Sequence, residues 1–531
     1  MSSAAITIDQ DVWRPKYNPW LIAVVVALAA FMEVLDTSIA NVALPYMAGN
    51  LGASNDQSTW VLTSYLVSNA INLPISGWLA GALGRKRFFM SCLGIFTVSS
   101  LLCGVAPSLG LLLFFRVLQG AGGGGLQPMA QAILADTFPP QQRGLAFALY
   151  GITAIMAPTI GPTLGGWITF NYSWRWIFFI NLPVGIATWF LVRRFVEDPP
   201  YLARIKAAGV KLDYIGIALL TLGIGALQVL LDKGQEDDWF GSRFITTLIV
   251  VATVCLISLV IWEWFQKSPI IDVRMFKNYN FAVANLMMFT LGISLFSSLV
   301  LMPQFLQTLL GYTSQLAGLA LSAGGLVLLF EMPIMGKLTT KIQARRLIAF
   351  GWLALSIAMY YSTKRIDLDI SFRAAALLRI AQVIGLGFLF VPISLVAYIG
   401  IAPEKNNAVA GIVNFMRNMG SSVGTSIVTT LIARRSQFHQ ARLVEHARPD
   451  NPNFQNTLNG LTERFAHSGL GAVEAQGRAY AQIYQNVLAQ AASLAYIDTF
   501  MVLAVGAAIM FFLTFVLKKN DPGGGGRVAV E

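Results

Sequence analysis

The sequence predicts an all-α polytopic membrane protein. Hydrophobic residues make up 56% of 531 residues, before 47 glycines are counted. Charged residues are only 12%, about half the ~25% of a soluble chain. The apolar residues fall into long runs, with none of the short alternating segments of a transmembrane barrel. Each run therefore reads as a helix, which satisfies its own backbone in lipid.

In order the runs are Trp20–Met47, Gln57–Ala80, Phe88–Ala106, Leu111–Ala135, Gly144–Phe170, Trp176–Val196, Tyr214–Leu231, Phe244–Phe265, Phe281–Gln307, Leu316–Gly336, Leu347–Tyr361, Phe372–Ile401, Asn406–Ile432 and Tyr496–Leu517. At roughly 20 residues per crossing they give about fourteen spans. Pro74, Pro128, Pro158, Pro162, Pro303, Pro333 and Pro392 fall inside runs, where neighbouring helices can re-satisfy the freed carbonyls. The run from Trp20 is too long for a signal-peptide core. Cys92, Cys103 and Cys255 sit inside runs and suggest no disulfide framework.

The net charge of +11 speaks to topology rather than to nucleic acid. Alternate short loops and tails hold Arg14, Lys16, Arg85, Lys86, Arg87, Arg143, Arg193, Arg194, Arg204, Lys206, Lys211, Lys267, Arg274, Lys277, Lys337, Lys341, Arg345, Arg346, Lys405, Lys518, Lys519 and Arg527. The short loops between them hold only Lys233, Lys364 and Arg365. Both termini are then expected in the cytoplasm. The outer segment 433–494 is long enough to cross whatever its charge. It reads as a helix continuing outward over 434–447, a break at Asn451-Pro452-Asn453, and a helix returning over 474–495.

An internal repeat organises the runs. Gly77 and Arg87 recur as Gly336 and Arg346 at an offset of 259. Arg116, Gln119, Gly122, Gly124 and Pro140 recur as Arg379, Gln382, Gly385, Gly387 and Pro403 at an offset of 263. The reading is two six-helix halves, 20–196 and 279–517, with two linker helices within 197–278. A tail, 1–19, precedes them and a glycine-rich tail, 518–531, follows. Parallel halves meeting at the midplane are a transporter architecture.

Ionisable residues inside a span are costly and mark function. Glu33 and Asp36 stand three apart on one helix face, suited to carrying protons. Arg116 cannot shed its charge and is expected to stabilise an ionised carboxylate and release it on protonation. Glu331 and Arg417 are secondary charged candidates, while Asp498 and Glu263 lie near span ends. Tyr65, Asn69, Gln127, Phe296, Gln304 and Asn414 are candidates for a largely apolar substrate cavity. Gly120–Gly125 formally contains G-x-G-x-x-G, but no strand precedes it, and close helix approach is the better reading. His439, His446 and His467 read as solvated surface, with no metal site. H-E-x-x-H, G-x-S-x-G and P-loop motifs are absent, so an enzyme or ATP-driven pump is not expected. No cofactor is implied, and a proton gradient is the expected energy source.

Four blocks carry a family resemblance. They are Leu35-Asp36-Thr37-Ser38-Ile39-Ala40-Asn41-Val42-Ala43-Leu44-Pro45, Arg116-Val117-Leu118-Gln119-Gly120, Gly161-Pro162-Thr163-Leu164-Gly165-Gly166, and Trp174-Arg175-Trp176-Ile177-Phe178-Phe179-Ile180-Asn181-Leu182-Pro183. Together they resemble the major facilitator superfamily, specifically the fourteen-span drug:proton antiporters of the EmrB/QacA type. Asp232 to Trp239 and Gly523–Gly526 are most similar to the EmrB branch. The resemblance implies a major facilitator fold and a bacterial inner-membrane antiporter exporting amphiphilic drugs. It implies proton coupling through Asp36, Glu33 and Arg116, with gating and packing at Gly77, Gly84, Arg85, Lys86, Arg87, Gly161, Pro162, Gly165 and Gly166. It also implies a tripartite pump, with a periplasmic adaptor on the outer hairpin and an outer-membrane channel. One departure stands out: Gly81 occupies a loop position where the family usually carries aspartate. Other readings are a dedicated exporter of one metabolite, such as a siderophore or antibiotic, and a non-transporting membrane sensor or scaffold.

Overall fold

The computed structural model describes residues 15–200, 202 and 213–518; its regular structure is helical, with no strand among the described residues. Arg14, Arg204, Lys206, Lys211, Lys519, Arg527 and the glycines of the tail lie outside the described residues. The helices are α1 (Pro19–Leu51), α2 (Asn55–Leu83), α3 (Arg85–Gly104), α4 (Leu109–Thr137), α5 (Arg143–Asn171), the short turn α6 (Trp176–Phe179) and α7 (Asn181–Phe195). There follow α8 (Tyr214–Lys233), α9 (Arg243–Phe265), α10 (Tyr279–Thr308), α11 (Ser314–Leu338), α12 (Ala344–Arg365), α13 (Phe372–Ala397), α14 (Asn406–Val444), α15 (Pro452–His467) and α16 (Ala472–Thr514).

Local chemistry sets many starts. Asn18 caps α1, with Pro19 at its first position, where the missing N–H costs nothing. Ser54 and Gln57 form a reciprocal capping box on α2. Ser108, Ser242, Asn278, Thr313 and Ser371 each accept a hydrogen bond from a backbone N–H in the first turn that follows. The interior prolines are all tolerated within continuous helices.

Among the described residues twelve helical spans, with α6 and α7 taken as one, are long and apolar enough to cross a membrane, so this is a multi-pass membrane protein. The sequence gives about fourteen crossings; α12 and α14 make the difference. The ends of α12 carry Arg345, Arg346, Lys364 and Arg365, which leaves a short apolar stretch. The polar sequence of α14 includes Asn414, Arg417, Asn418 and Ser421. Both nonetheless pack inside the bundle, α12 against α13 and α16, and α14 against α10, α16 and α2. By contrast, α9 is apolar all round, with Val250, Val254, Ile257 and Ile261 exposed, as suits a helix facing lipid.

Helices α1–α7 pack mainly with one another, as do α10–α14 with α16. The two groups meet along α5–α11 and α2–α14, while α8 lies against α2 and α14. The repeated glycines make these seams possible. A Cβ on Gly77 would come 3.0 Å from the Ala408 backbone on α14. One on Gly336 would come 2.8 Å from Cα of Leu145 on α5. The equivalent glycines of the repeat thus hold equivalent close crossings between the groups.

The segment beyond α14 differs from the expected simple hairpin. Helix α14 runs unbroken for 39 residues, about 58 Å at 1.5 Å each, well beyond the ~30 Å of hydrocarbon. Asn451 then caps a third helix, α15, with Pro452 at its first position. This helix packs on the 43-residue α16 and was missed by the sequence reading. Its signal was present: an Asn-Pro start followed by an amphipathic stretch.

Candidate proton-coupling site

Asp36 is buried in α1 and receives three donors. Arg116 Nη1 lies 2.7 Å from Oδ2, and Gln119 Nε2 and Asn181 Nδ2 lie 3.0 and 2.6 Å from Oδ1. Arg116 is itself fixed, with Nε donating to the Val61 carbonyl at 3.1 Å and Nη1 to Gln119 Oε1 at 2.8 Å. Its guanidinium carbon lies 4.3 Å from the centroid of the Tyr65 ring. Asn181 also donates to Ser100 Oγ at 3.0 Å. Asn181, far along the chain on α7, belongs to the fourth motif block, but its sequence gave no role as a partner of Asp36.

Glu33 sits one turn earlier in a different network. Tyr65 Oη and Asn69 Nδ2 donate to Oε1 at 3.0 and 2.9 Å, and Gln127 donates to Oε2. Gln127 in turn accepts from Arg417. The single hydrogen of the Tyr150 hydroxyl goes to Asn414 Oδ1 at 2.8 Å, with Gln127 Oε1 3.3 Å away as the alternative acceptor, and Asn418 donates to Asn69 Oδ1 at 3.1 Å. Arg417, Asn414 and Asn418 belong to α14. Glu33 is therefore wired through Gln127 and Asn69 to the other helix group, whereas Asp36 is held wholly within its own. Tyr150 and Asn418 were not singled out from sequence, nor was Gln131, whose Oε1 accepts from Asn414 Nδ2 at 2.5 Å.

The glycine run of α4 makes room for this. A Cβ on Gly120 or Gly124 would lie 2.4 or 2.6 Å from the carbonyls of Tyr65 and Asn69. One on Gly123 would lie 2.5 Å from Tyr65 Oη and 3.3 Å from Glu33 Cγ. Close helix approach, not a nucleotide loop, is what these glycines serve.

Other candidates fall elsewhere. Phe296 packs on the apolar core and Gln304 is half-buried, its Oε1 unpartnered, outside the Glu33 network. Glu331 is buried, with neither carboxylate oxygen hydrogen-bonded. His439 lies 2.7 Å from Asp498, which also pairs with Arg435, so it is not simple solvated surface. His446 is exposed and meets only a backbone carbonyl, and His467 is exposed. No metal-binding cluster occurs among the described residues.

The motif glycines are explained in part. A Cβ on Gly161 would meet Ser38 Oγ at 2.3 Å, and one on Gly165 would meet Ile39 at 3.0 Å. Together they bring α5 onto α1 on either side of Pro162. Gly166 has only Val42 at 3.9 Å, and nothing steric requires glycine there.

At the basic ends, Arg85 binds Asp136 Oδ2 at 2.6 Å and donates to Asn407 Oδ1 at 2.8 Å. Asn406 donates to Asp136 Oδ1 at 2.5 Å. With glycine at position 81, the acid that Arg85 meets is Asp136, at the end of α4. Gly84 turns the chain at φ 88°, in the region that favours glycine. There the Lys86 N–H donates to Asp198 at 2.8 Å. Arg87 is exposed.

A family model described as the Major Facilitator Superfamily matches residues 26–425. The chain belongs to that superfamily. It is therefore a member of a transporter family and not an enzyme. Among curated superfamily relatives, the Multidrug export protein EmrB of Escherichia coli (strain K12) is 37% identical over 506 residues, covering 95% of this chain and 96% of the relative. The Fatty acid resistance protein FarB of Neisseria gonorrhoeae is 39% identical over 444 residues, covering 83% and 86%. Among solved structures, the proton:xylose symporter XylE bound to 6-bromo-6-deoxy-D-glucose has a TM-score of 0.61 at 13% identity, covering 94% of this chain and 95% of that one. The human organic anion transporter MFSD10 has a TM-score of 0.58 at 15% identity, covering 94% and 100%. Both share the major facilitator fold.

Proposed function

We propose that the protein is a proton-coupled antiporter of a bacterial inner membrane, exporting amphiphilic compounds. The observation that carries this reading is the pair of buried carboxylates one turn apart in α1. Asp36 is clamped by Arg116 within α1–α7, and Glu33 is linked through Gln127 to Arg417 of α14. A proton arriving at Asp36 neutralises the partner of Arg116 and frees the guanidinium. A proton or substrate arriving at Glu33 weakens its acceptor and loosens a tie between the helix groups. Each event shifts the relative stability of two facing states, and coupling is that difference in affinity.

The finer topology belongs to this reading. Fourteen crossings, with α12 and α14 included, divide as six, two and six, with halves 20–196 and 279–517. Both termini are cytoplasmic. The segment 433–494 then lies on the periplasmic side, where its helices offer a surface to an adaptor of a tripartite pump. Similarity to EmrB, a multidrug export protein by name, supports multidrug cargo.

The test is efflux of a fluorescent lipophilic cation from proteoliposomes under an imposed pH gradient. Gradient-dependent efflux that Asp36→Asn abolishes supports the proposal. Efflux indifferent to the gradient, or undiminished in Asp36→Asn and Glu33→Gln, refutes it.

A further inference from the structure

The Asp36–Arg116 cluster has a counterpart in the second helix group that lacks its acid. Arg379 and Gln382 lie 263 residues after Arg116 and Gln119, and Ser298 and Ser362 lie 262 residues after Asp36 and Ser100. The two arginine contacts repeat as well, while the glutamine turns from the Asp36 position to the Ser100 position. Arg379 Nη1 donates to Ser298 Oγ at 2.8 Å and to Gln382 Oε1 at 3.5 Å. Gln382 Nε2 donates to Ser362 Oγ at 3.0 Å. Ser298 therefore stands where Asp36 stands, and it brings no charge.

Arg379 is 0% exposed, and its Nε and Nη2 have no hydrogen-bond partner among the described residues. A guanidinium keeps its charge, and a buried charge without a counter-charge is strongly disfavoured. The fork of unsatisfied N–H groups matches a carboxylate, which arginine binds through two parallel hydrogen bonds. The helices carrying these groups also hold Leu295, Leu301, Met302 and Leu378 in the packed core, side chains that a hydrocarbon tail would meet once the helices part.

We propose that Arg379, with Ser298 beside it, receives the carboxylate of an exported lipophilic acid. This rests on the export reading above and narrows its cargo to include long-chain monocarboxylates. In the arrangement described, α11 closes over the site, since a Cβ on Gly324 would lie 3.2 Å from Arg379 Cγ. The acid reaches the arginine only when these helices part, so it binds the two facing states unequally, as coupling requires. The internal alternative is Glu331. Its unpartnered carboxylate packs on Gly387, about two turns along α13 from Arg379.

The test is equilibrium binding to the full chain in nanodiscs, with laurate, dodecanol and dodecyltrimethylammonium as probes and empty nanodiscs as the blank. The wild type should bind laurate at least about tenfold tighter than dodecanol, as a charge-assisted hydrogen bond gives. Ser298→Asp supplies the missing acid and copies the Asp36–Arg116 geometry, so it should fold and melt no lower than wild type. It should lose about tenfold or more in laurate affinity and leave dodecyltrimethylammonium unchanged, and Arg379→Gln should do the same. Laurate binding no tighter than dodecanol overturns the proposal. So does an equal loss of all three probes in Ser298→Asp, or a loss of laurate in Glu331→Gln matching that in Arg379→Gln. Because no gradient is applied, a failure of proton-driven export would show only in the proteoliposomes.

Discussion

Tyr65 and Arg116 are stacked, with the guanidinium carbon 4.3 Å from the ring centroid, and the same tyrosine donates its hydroxyl to Glu33 at 3.0 Å. One side chain thus touches both acid sites by different atoms. Tyr65→Phe separates the two roles, because it keeps the ring and removes the donor. Glu33 would keep Asn69 and Gln127, and Arg116 would keep its cushion. A hydrogen bond to a charged group is worth roughly 1.5–3 kcal/mol. The expected outcome is normal expression and folding with proton-driven efflux slowed by about tenfold or more. Unchanged efflux in Tyr65→Phe would remove the hydroxyl from the coupling network.

The parts of this site that were legible in the sequence are those that one helix turn or the costs of membrane burial make visible. Glu33 and Asp36 share a face by spacing, and Arg116 is conspicuous because an apolar span otherwise excludes it. Tyr65, Asn69, Gln127 and Asn414 were named as cavity candidates, and the structure gathers them around Glu33. Gln131 and Asn418 went unremarked and Asn181 stood in a motif without a role, because a neutral amide in a span has no local signature until its partner is known. Asp136 was hidden for a different reason. It ends an apolar run, where a carboxylate normally reads as interfacial, and only the packing of α3 and α14 gives it Arg85 and Asn406. The outline of the helices was readable from hydropathy. The polar α14 was harder to classify, because its place in the bundle depends on buried tertiary contacts.

Asp136 is predicted to latch the basic ends of the two helix groups. It holds Arg85 at 2.6 Å from one oxygen and Asn406 at 2.5 Å from the other, while Arg85 reaches on to Asn407. Asp136→Asn removes the charge that organises all three. Spin labels at the exposed positions Leu83 and Glu404 should then report a longer separation in a larger fraction of molecules. An identical distance distribution in the variant would show that the glycine crossings at Gly77 and Gly336 hold that end closed without the ion pair.

Asp272 supplies a pH-dependent tie between the loop after α9 and the start of α14. Burial alone would push its carboxyl up. Hydrogen bonds and charge from Lys405 at 2.7 Å and Arg274 at 3.0 Å outweigh this and hold it below the ordinary 3.8. A carboxyl lowered on folding contributes stability above its unfolded value and loses it as pH falls through the lowered one. Asp272→Asn should therefore lower the melting temperature at pH 7 slightly. The gap from wild type should close on acidification below about pH 4. A gap that persists unchanged in acid would point to lost packing rather than lost charge.

Two glycines in one motif should respond oppositely to the same substitution. In Gly161→Ala the new methyl would be 2.3 Å from Ser38 Oγ and 2.5 Å from Ser38 Cβ, and Ser38 is tied to the Pro158 carbonyl at 3.1 Å. It cannot turn away without breaking that bond, so α1 and α5 must part. Overpacking of this kind typically costs about 1–3 kcal/mol. In Gly166→Ala the methyl would meet only Val42, at 3.9 Å, an ordinary contact, and alanine is the better helix former by roughly 1 kcal/mol. Gly161→Ala should melt lower than wild type and transport poorly, because α1 carries both carboxylates and shifts with the seam. Gly166→Ala should melt at or above wild type and transport normally. Equal loss of transport in the two, with Gly166→Ala fully stable, would mean that the motif's second half works through the flexibility of glycine rather than through close packing.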